Sequence, residues 1–372
     1  MRHCITNSLF ARPVLVTTAF AAILCLFYLL PHNTKAYIPT SMTCDVPKSR
    51  EIIPNYVHFV YILSDPSKDF SFEFSHFLSI YAVWFYWRPE IIFLHTNAKA
   101  DGKPIARARQ GRAGKWNKLI FTLFNLQVNT VEVPTHAGNG KEVQGIEHKS
   151  DFVRVRAVYG LGGVYIDWDV HPLRDIKPLR ESGFKAIAGR QLGGQVNSGV
   201  FMSSKHSKMI ELWMEGMNTA YTGGWTTHSN EVITKYSQRL VREPGEMLIM
   251  ERDAFAPGSW NDDDTDDLFG LRNESSNLAN ITQGDLLPSF DESFSDRWDH
   301  PDRYPSWARD WSHTYLLHAF TPDRWGHKVI GFDHITPRYV LNRTSNFAIA
   351  VYPVASYMYA EGLVDLDDSH IG

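Results

Sequence analysis

Two aspartates separated by one residue are the feature of the sequence with the clearest chemistry. Asp167 and Asp169 follow Val164-Tyr165-Ile166, a short apolar run typical of a β-strand. Two carboxylates at the end of a strand can bind a hard divalent cation and, through it, a diphosphate. Ligands bind at the carboxyl ends of strands in alternating α/β sheets, so this function is favoured over a purely structural turn.

A predicted helix precedes the strand and carries a second pair of charged residues. Ser150 can cap its first turn, while Gly162 and Gly163 end it, because glycine readily takes the left-handed conformation common at helix C-termini. Asp151 and Arg154 are three residues apart and therefore project from one side of the helix. Together they could bind sugar hydroxyls, and an ion pair within the helix is the alternative.

Strand and helix signals also alternate before this motif. Residues 56–61 and 90–95 are predicted strands, and residues 70–87 form a predicted apolar, aromatic helix between them. Such alternation predicts an α/β fold with a mostly parallel central sheet.

The ordered set of residues resembles glycosyltransferase family 32, the DXD-containing sugar transferases of the Golgi lumen. The residues that carry the resemblance are Ser150, Asp151, Arg154, Gly162, Gly163, Tyr165, Asp167 and Asp169. Family members include outer-chain α-mannosyltransferases, inositolphosphoceramide mannosyltransferases and α-1,4-galactosyltransferases. The resemblance implies a GT-A-like, single nucleotide-binding (Rossmann-like) domain. It also implies that a hexose moves, with retained configuration, from GDP-mannose or a UDP-hexose to a glycan or glycolipid.

The resemblance further implies roles for individual residues. Asp169 would coordinate Mn²⁺ or Mg²⁺ directly, and Asp167 would contact the donor's ribose or the metal through water. His318, on the strand-like run 315–320, would be a further metal ligand, although a lone histidine on an apolar strand is often a core residue. The donor-binding residues would be Asp151, Arg154, Tyr165, Asn197 and Trp325. Asn197 precedes Ser-Gly and could equally form a turn.

An uncharged segment near the N-terminus predicts membrane attachment. Its nineteen residues would make a helix of roughly 28 Å, close to the hydrocarbon thickness of a bilayer. The predicted organisation is a cytosolic tail at 1–12, a transmembrane signal anchor at 13–31, a stem at 32–52, a catalytic domain at 53–345 and a C-terminal tail at 346–372. A cleaved signal peptide is the alternative. Either form sends the body into the secretory lumen, and the anchor predicts a single-pass type II protein of the Golgi or ER membrane.

Composition narrows the possible partners. The net charge of -4 argues against nucleic acid as a partner. Of the three cysteines, only Cys44 follows the predicted span, so the body has no internal disulfide or cysteine metal site. Three glycosylation patterns, at Asn273, Asn280 and Asn342, all follow the apolar segment.

Several alternatives stay open at this level. The basic segment 103–118 could face phosphates or an anionic acceptor, or be a solvated surface. The acidic segment 261–267 lacks the spacing of a calcium loop and is predicted to be a solvated loop. The rival functions are a metal-dependent hydrolase of nucleotide sugars or phosphoesters and a catalytically silent lumenal binding protein. The intact aspartate pair argues against the silent protein, and no identifiable base supports the hydrolase.

Overall fold

The computed structural model describes residues 52–99, 101–272, 305–320, 322 and 326–372. The predicted membrane span at 13–31 lies outside these residues and stays a prediction. Within the described ranges, none of the helices is both long enough and apolar enough to cross a membrane.

The described chain alternates between strands and helices. The strands are β1 (Tyr56–Tyr61), β2 (Ile91–Thr96), β3 (Leu126–Thr130), β4 (Gly163–Ile166), β5 (Val170–Pro172), β6 (Ala186–Arg190), β7 (Val196–Ser203), β8 (Leu248–Met250) and β9 (Leu316–His318). The helices are α1 (Phe74–Trp87), α2 (Lys103–Arg109), α3 (Lys115–Phe121), α4 (Ile146–Leu161), α5 (Lys177–Arg180), α6 (Lys208–Ala220), α7 (Asn230–Leu240), α8 (Arg252–Phe255), α9 (Asp262–Phe269), α10 (Pro337–Asn342) and α11 (Asn346–Ala360).

A seven-stranded sheet organises the chain, in the order β3-β2-β1-β4-β7-β6-β8. The neighbours β3-β2, β2-β1, β1-β4 and β6-β8 are parallel, and only β7 runs against both of its neighbours. The predicted α/β class with a mostly parallel sheet is therefore confirmed. A second, two-stranded sheet pairs β5 with β9 in antiparallel fashion. This pairing brings His318 opposite Val170, one residue beyond the Asp-Trp-Asp motif.

The two faces of the sheet are covered by different helices. Alternate residues of β1 point to opposite faces: Phe59 packs in a core with α1 and α11, while Val60 packs in a core with α4 and α6. In α1, ten of fourteen residues are buried, which explains why its sequence is apolar on nearly every side. Helix α4 is clamped between the sheet and α6, and it carries Asp151 and Arg154.

A buried chain of imidazoles fixes the end of α4 to the sheet. His58 Nε2 lies 2.8 Å from the carbonyl oxygen of Gly162, and His58 Nδ1 lies 2.9 Å from His95 Nε2. His95 Nδ1 in turn lies 3.0 Å from the side-chain nitrogen of Asn129. Since an amide N–H can only donate, each imidazole accepts at Nδ1 and donates at Nε2, and the chain of donors ends on Gly162. Burial lowers the pKa of His58 to about 4 and that of His95 to about 3, so both rings stay neutral at pH 7.

The acidic segment forms a helix, so the prediction of a solvated loop is wrong there. Its aspartates in α9 pair with arginines from distant parts of the chain. Arg252 lies 2.8 Å from Asp264, and Arg309 lies 2.6 Å from Asp267. These carboxylates are thus neutralised by protein cations, which gives the calcium alternative no support.

Two cations of the basic segment 103–118 form ion pairs with neighbouring parts of the chain. Arg107 in α2 pairs with Asp69, and Lys115 at the start of α3 lies 2.5 Å from Asp368. These pairs tie both helices to neighbouring segments and give part of the segment a structural function.

Candidate active site

The Asp-Trp-Asp motif lies where β4 ends, at the carboxyl edge of the parallel strands. The backbone N–H of Asp167 donates to the carbonyl of Gly199 on β7 (2.8 Å), and Ala319 N–H donates to the carbonyl of Asp169 (2.9 Å). Asp167, Asp169 and His318 each offer one ligand atom, and these atoms lie within 4.8 Å of one another. The three sequence-predicted metal ligands are therefore brought together by the fold.

Trp168 points away from the two carboxylates and anchors the motif. Its ring packs against Phe59 and Phe72, with centroids 4.5 and 4.8 Å away, and its Nε1–H donates to the carbonyl of Val60 (2.8 Å). The motif itself forms a turn after β4, closed by a hydrogen bond from Val170 N–H to the carbonyl of Asp167 (3.1 Å), and Trp168 fixes this turn to the core.

Arg154 links α4 to the end of β4. Its Nη2 lies 2.9 Å from Asp151 Oδ1, and its Nη1 lies 3.3 Å from Asp167 Oδ1. Nη1 also donates to the carbonyl of Ser198 (3.1 Å), and the guanidinium lies 4.6 Å from the centroid of the Tyr165 ring. The Tyr165 hydroxyl donates to Asp167 Oδ1 at 2.5 Å. Asp167 is thus oriented by two protein donors.

Burial and neighbouring charges shift the pKa values of Asp167 and Arg154. Burial raises the pKa of Asp167, the charge of Arg154 opposes that rise, and the neighbouring charge of Asp169 adds to it. Burial alone would lower the pKa of Arg154, but Asp151 and Asp167 raise it above the ordinary arginine value. Arg154 is therefore a permanent cation, and Asp167 is a carboxylate whose charge the protein only partly offsets.

Asp151 is engaged through both of its oxygens. While Oδ1 binds Arg154, Oδ2 lies 2.8 Å from Nε2 of His228, a fully buried residue. The His228 ring stacks on Phe152 at 5.6 Å, and its carbonyl accepts from Trp213 Nε1 (3.2 Å). Sequence reasoning did not find His228, because it lies 77 positions from its partner. The ion pair between Asp151 and Arg154 is observed, and the donor-binding role of Asp151 stays a prediction.

Asn197 holds the imidazole of His318 rather than standing alone in the site. Its Oδ1 accepts from the backbone N–H of Gly199 (2.6 Å), which fixes the orientation of the amide, since that N–H can only donate. Its Nδ2 then donates to Gln191 Oε1 (2.6 Å) and lies 3.2 Å from His318 Nδ1. His318 Nε2 faces Asp169 Oδ1 at 3.3 Å. Sequence reasoning also did not identify Gln191 as a residue of the site. A polar residue six positions before Asn197 is only a weak sign of a contact between the two side chains.

A second histidine approaches the motif from the start of α1. His76 Nδ1 accepts from the backbone N–H of Glu73 (2.9 Å), and its ring lies edge-on to Trp168 with centroids 5.6 Å apart. Burial lowers the pKa of His76 to about 4, against the opposing charge of Asp169. The ring is therefore neutral, with its proton on Nε2.

The side chains present fit a divalent cation such as Mn²⁺ or Mg²⁺. Carboxylate oxygens suit both ions, and an imidazole nitrogen beside them suits manganese. Asp167 and Asp169 would hold the ion, and His318 would join them in the tautomer that leaves Nε2 free. Trp325, the remaining predicted donor-binding residue, lies outside the described residues.

Residues 105–185 match the family model described as the glycosyltransferase sugar-binding region containing the DXD motif. The matched range includes Asp151, Arg154, Tyr165, Asp167 and Asp169. The resemblance seen in the sequence is thereby confirmed for this range, which is similar to the DXD-containing sugar-binding region of glycosyltransferases.

Individual proteins give a more distant likeness. Glucan organizing enzyme 1 of Cryptococcus neoformans var. grubii is 23% identical over 244 residues, which cover 62% of this chain and 60% of the relative. The chain thus spans less than two thirds of that relative.

Among solved structures, the glycosyltransferase GlyE of Streptococcus pneumoniae TIGR4 is 10% identical, with a TM-score of 0.39 over 83% of this chain and 64% of that one. The galactosyltransferase LgtC is 12% identical, with a TM-score of 0.35 over 83% of this chain and 100% of that one. Mouse xyloside xylosyltransferase 1 is 11% identical, with a TM-score of 0.32 over 71% of this chain and 96% of that one.

Proposed function

We propose that the protein is a metal-dependent, retaining hexosyltransferase with a GT-A-like catalytic domain. It moves a hexose of the mannose, galactose or N-acetylglucosamine type from GDP-mannose or a UDP-hexose to a glycan or glycolipid. The observation that carries this proposal is the group of Asp167, Asp169 and His318 at the carboxyl edge of the sheet. A diphosphate binds at such an edge, and this donor set suits the cation that would accompany it.

The protein's own groups have distinct tasks in this proposal. A bound cation would supply positive charge to the departing nucleoside diphosphate. Arg154 keeps Asp167 oriented, and Asn197 fixes the direction of the His318 ring. We assign front-face substitution: the bond from the sugar's anomeric carbon to the diphosphate breaks, the bond to the acceptor oxygen forms on the same face, and the acceptor proton passes to the leaving phosphate.

We also propose that the enzyme works in the secretory pathway. The uncharged segment at 13–31 supports a single-pass type II anchor in the Golgi or ER membrane, with the catalytic domain in the lumen. Immunofluorescence of the full-length protein, combined with protease protection of sealed microsomes, tests this. Digestion of the catalytic domain without detergent would contradict a lumenal location.

The test of activity uses the purified full-length protein with Mn²⁺ and a panel of nucleotide sugars. Release of nucleoside diphosphate is measured with and without mixed glycan and glycolipid acceptors, including gluco-oligosaccharides because the relative is named for glucan. Acceptor-stimulated release from one donor is expected, with loss in Asp169→Asn. The matched control is Asp333→Asn, whose carboxylate is 94% exposed.

Other outcomes would assign other functions. Release of free sugar at the same rate with and without acceptors would support a nucleotide-sugar hydrolase. Metal-dependent nucleotide binding with no release from any donor would support a silent binding protein.

A further inference from the structure

An exposed tryptophan is held on an ordered loop between α6 and α7. Trp225 is 59% exposed. The loop around it is closed by its own polar groups: the Thr222 hydroxyl donates to Thr227 Oγ1 (3.1 Å), and Gly224 N–H donates to Thr222 Oγ1 (3.2 Å). Gly223 has φ of +91°, a conformation that favours glycine. The indole is therefore presented to solvent by a backbone that is already organised.

The position of this loop relates it to the Asp-Trp-Asp motif. The Trp225 ring lies 5.7 Å from the ring of His148, near the start of α4. His148 precedes Arg154 by six residues, or roughly 9 Å along the helix axis. Because Arg154 contacts Asp167 at the carboxyl edge, Trp225 lies beyond that edge, at the rim of the site.

The rim carrying Trp225 lies on the β7 side of the site. Helix α7, which follows the loop, packs on β7. Strands β1 and β7 flank β4 on opposite sides. Trp225 is thus on the β7 side of the Asp-Trp-Asp motif, away from β1.

A polar atom beside the indole lacks a partner. His148 is buried, its Nδ1 lies 3.0 Å from the Tyr221 hydroxyl, and its Nε2 makes no hydrogen bond to any residue that the structure describes. Buried polar groups are nearly always paired, so an unpaired imidazole nitrogen calls for an explanation. This nitrogen is itself shielded from solvent, so a sugar hydroxyl or a water would supply the missing partner once the side chains over it move aside.

We propose that Trp225 is a stacking platform for a pyranose ring of the acceptor glycan. The apolar face of the ring lies on the indole, and its hydroxyls face the polar rim at His148. An indole gives a large contact area at little conformational cost, and a preorganised loop reduces that cost further. This inference rests on the proposed transferase function and specifies how that function selects its acceptor.

Direct binding tests the platform without catalysis. Full-length wild type, Trp225→Ala and Trp225→Phe are titrated with manno- and gluco-oligosaccharides, trimers to hexamers, by saturation-transfer NMR in the absence of nucleotide. Truncation of a central aromatic contact typically weakens binding at least tenfold, so we expect a loss of about tenfold for alanine and a smaller loss for phenylalanine. Phe124→Ala, which removes a 99% exposed aromatic elsewhere, serves as the matched control and should bind like wild type.

Two further results separate the possible outcomes. In transfer assays, Trp225→Ala should raise the KM for the acceptor about tenfold more than the KM for the donor. Equal oligosaccharide affinity in wild type and Trp225→Ala, or no binding to wild type, would overturn the platform. Binding that depends on Trp225, in a protein that consumes no nucleotide sugar, would sustain the platform and reject the transferase.

Discussion

A single methyl group at Gly199 should dismantle the candidate active site. A Cβ at this position would lie 2.5 Å from Asp167 Oδ2, 2.8 Å from His318 Cε1 and 2.9 Å from Asn197 Oδ1. The closest of these contacts is about 0.9 Å short of the 3.4 Å at which ordinary contact begins. The backbone cannot retreat, because Gly199 donates to Asn197 and accepts from Asp167 through its own peptide groups. The carboxylate and the imidazole must therefore move.

Three consequences of Gly199→Ala can be measured. A displacement near 1 Å in a positioned group lowers turnover by about 100-fold. Disturbed ligand orientation weakens metal affinity by roughly 10- to 100-fold. Overpacking lowers the free energy of unfolding by about 1–3 kcal/mol. Titration calorimetry with Mn²⁺, donor turnover and urea unfolding report the three effects separately.

The matched control for this substitution is Gly160→Ala. Gly160 lies in α4, and a Cβ there meets no atom of the described residues within 4 Å. Alanine at this position should raise the free energy of unfolding by about 0.5–1 kcal/mol through helix propensity and should leave metal affinity unchanged. If Gly199→Ala bound Mn²⁺ and turned over donor like wild type, the assignment of Asp167 and His318 to the site would be refuted.

Three further predictions concern charge and protonation. Burial raises the pKa of Asp167, so Asp167→Asn should keep or raise the Tm at pH 7. The same variant should lower sugar transfer by about 100-fold. A large drop in Tm would contradict the conclusion that burial opposes the charge of Asp167. The folded protein lowers the pKa of His58 to about 4 and that of His95 to about 3, whereas the unfolded value is about 6.5. Their contribution to stability is therefore full above about pH 6.5 and is lost as the pH falls towards the folded values. The lowered pKa of each histidine should remove roughly 2 kcal/mol from the free energy of unfolding between pH 7 and pH 5. His95→Gln should reduce that loss by about the share of one imidazole, and urea unfolding at both pH values would show the reduction. Asn197→Asp should tighten Mn²⁺ binding by up to about tenfold in calorimetry. The reason is that a carboxylate at this position can accept a proton from His318 Nδ1 and so leave Nε2 free for the ion. Weaker Mn²⁺ binding in this variant would show that the orientation assigned to the Asn197 amide is wrong.

The residues that sequence reasoning identified well are close together in the chain. Asp151, Arg154, Asp167 and Asp169 lie on one helix and the strand that follows it, and local spacing sets their directions. Helix and strand periodicity are short-range properties, so the pattern could be recognised without knowing the packing. His318 was reached only through the family resemblance, since its own segment shows nothing but an apolar strand.

The missed residues depend on pairings between distant segments. Strand β7 enters the sheet between β4 and β6 in reverse, and its register sets Val200 opposite Ile166. That register alone places Gly199 beneath Asp167, and no local pattern encodes it. The same applies to His228, which reaches α4 from the loop before α7.

The arrangement around Arg154 explains why the site calls for a cation. Asp151, Asp167 and Asp169 carry three negative charges when ionised, and Arg154 supplies one positive charge, which leaves a formal charge of two negative in a largely buried space. His76 is neutral at pH 7 because its Nδ1 is occupied and burial lowers its pKa to about 4, so it cannot offset this charge. Burial is the main cause of the raised pKa of Asp167, and the neighbouring charge of Asp169 adds to it. A divalent ion would supply the compensating charge and would lower the pKa of Asp167, so metal binding and ionisation of this carboxylate are coupled.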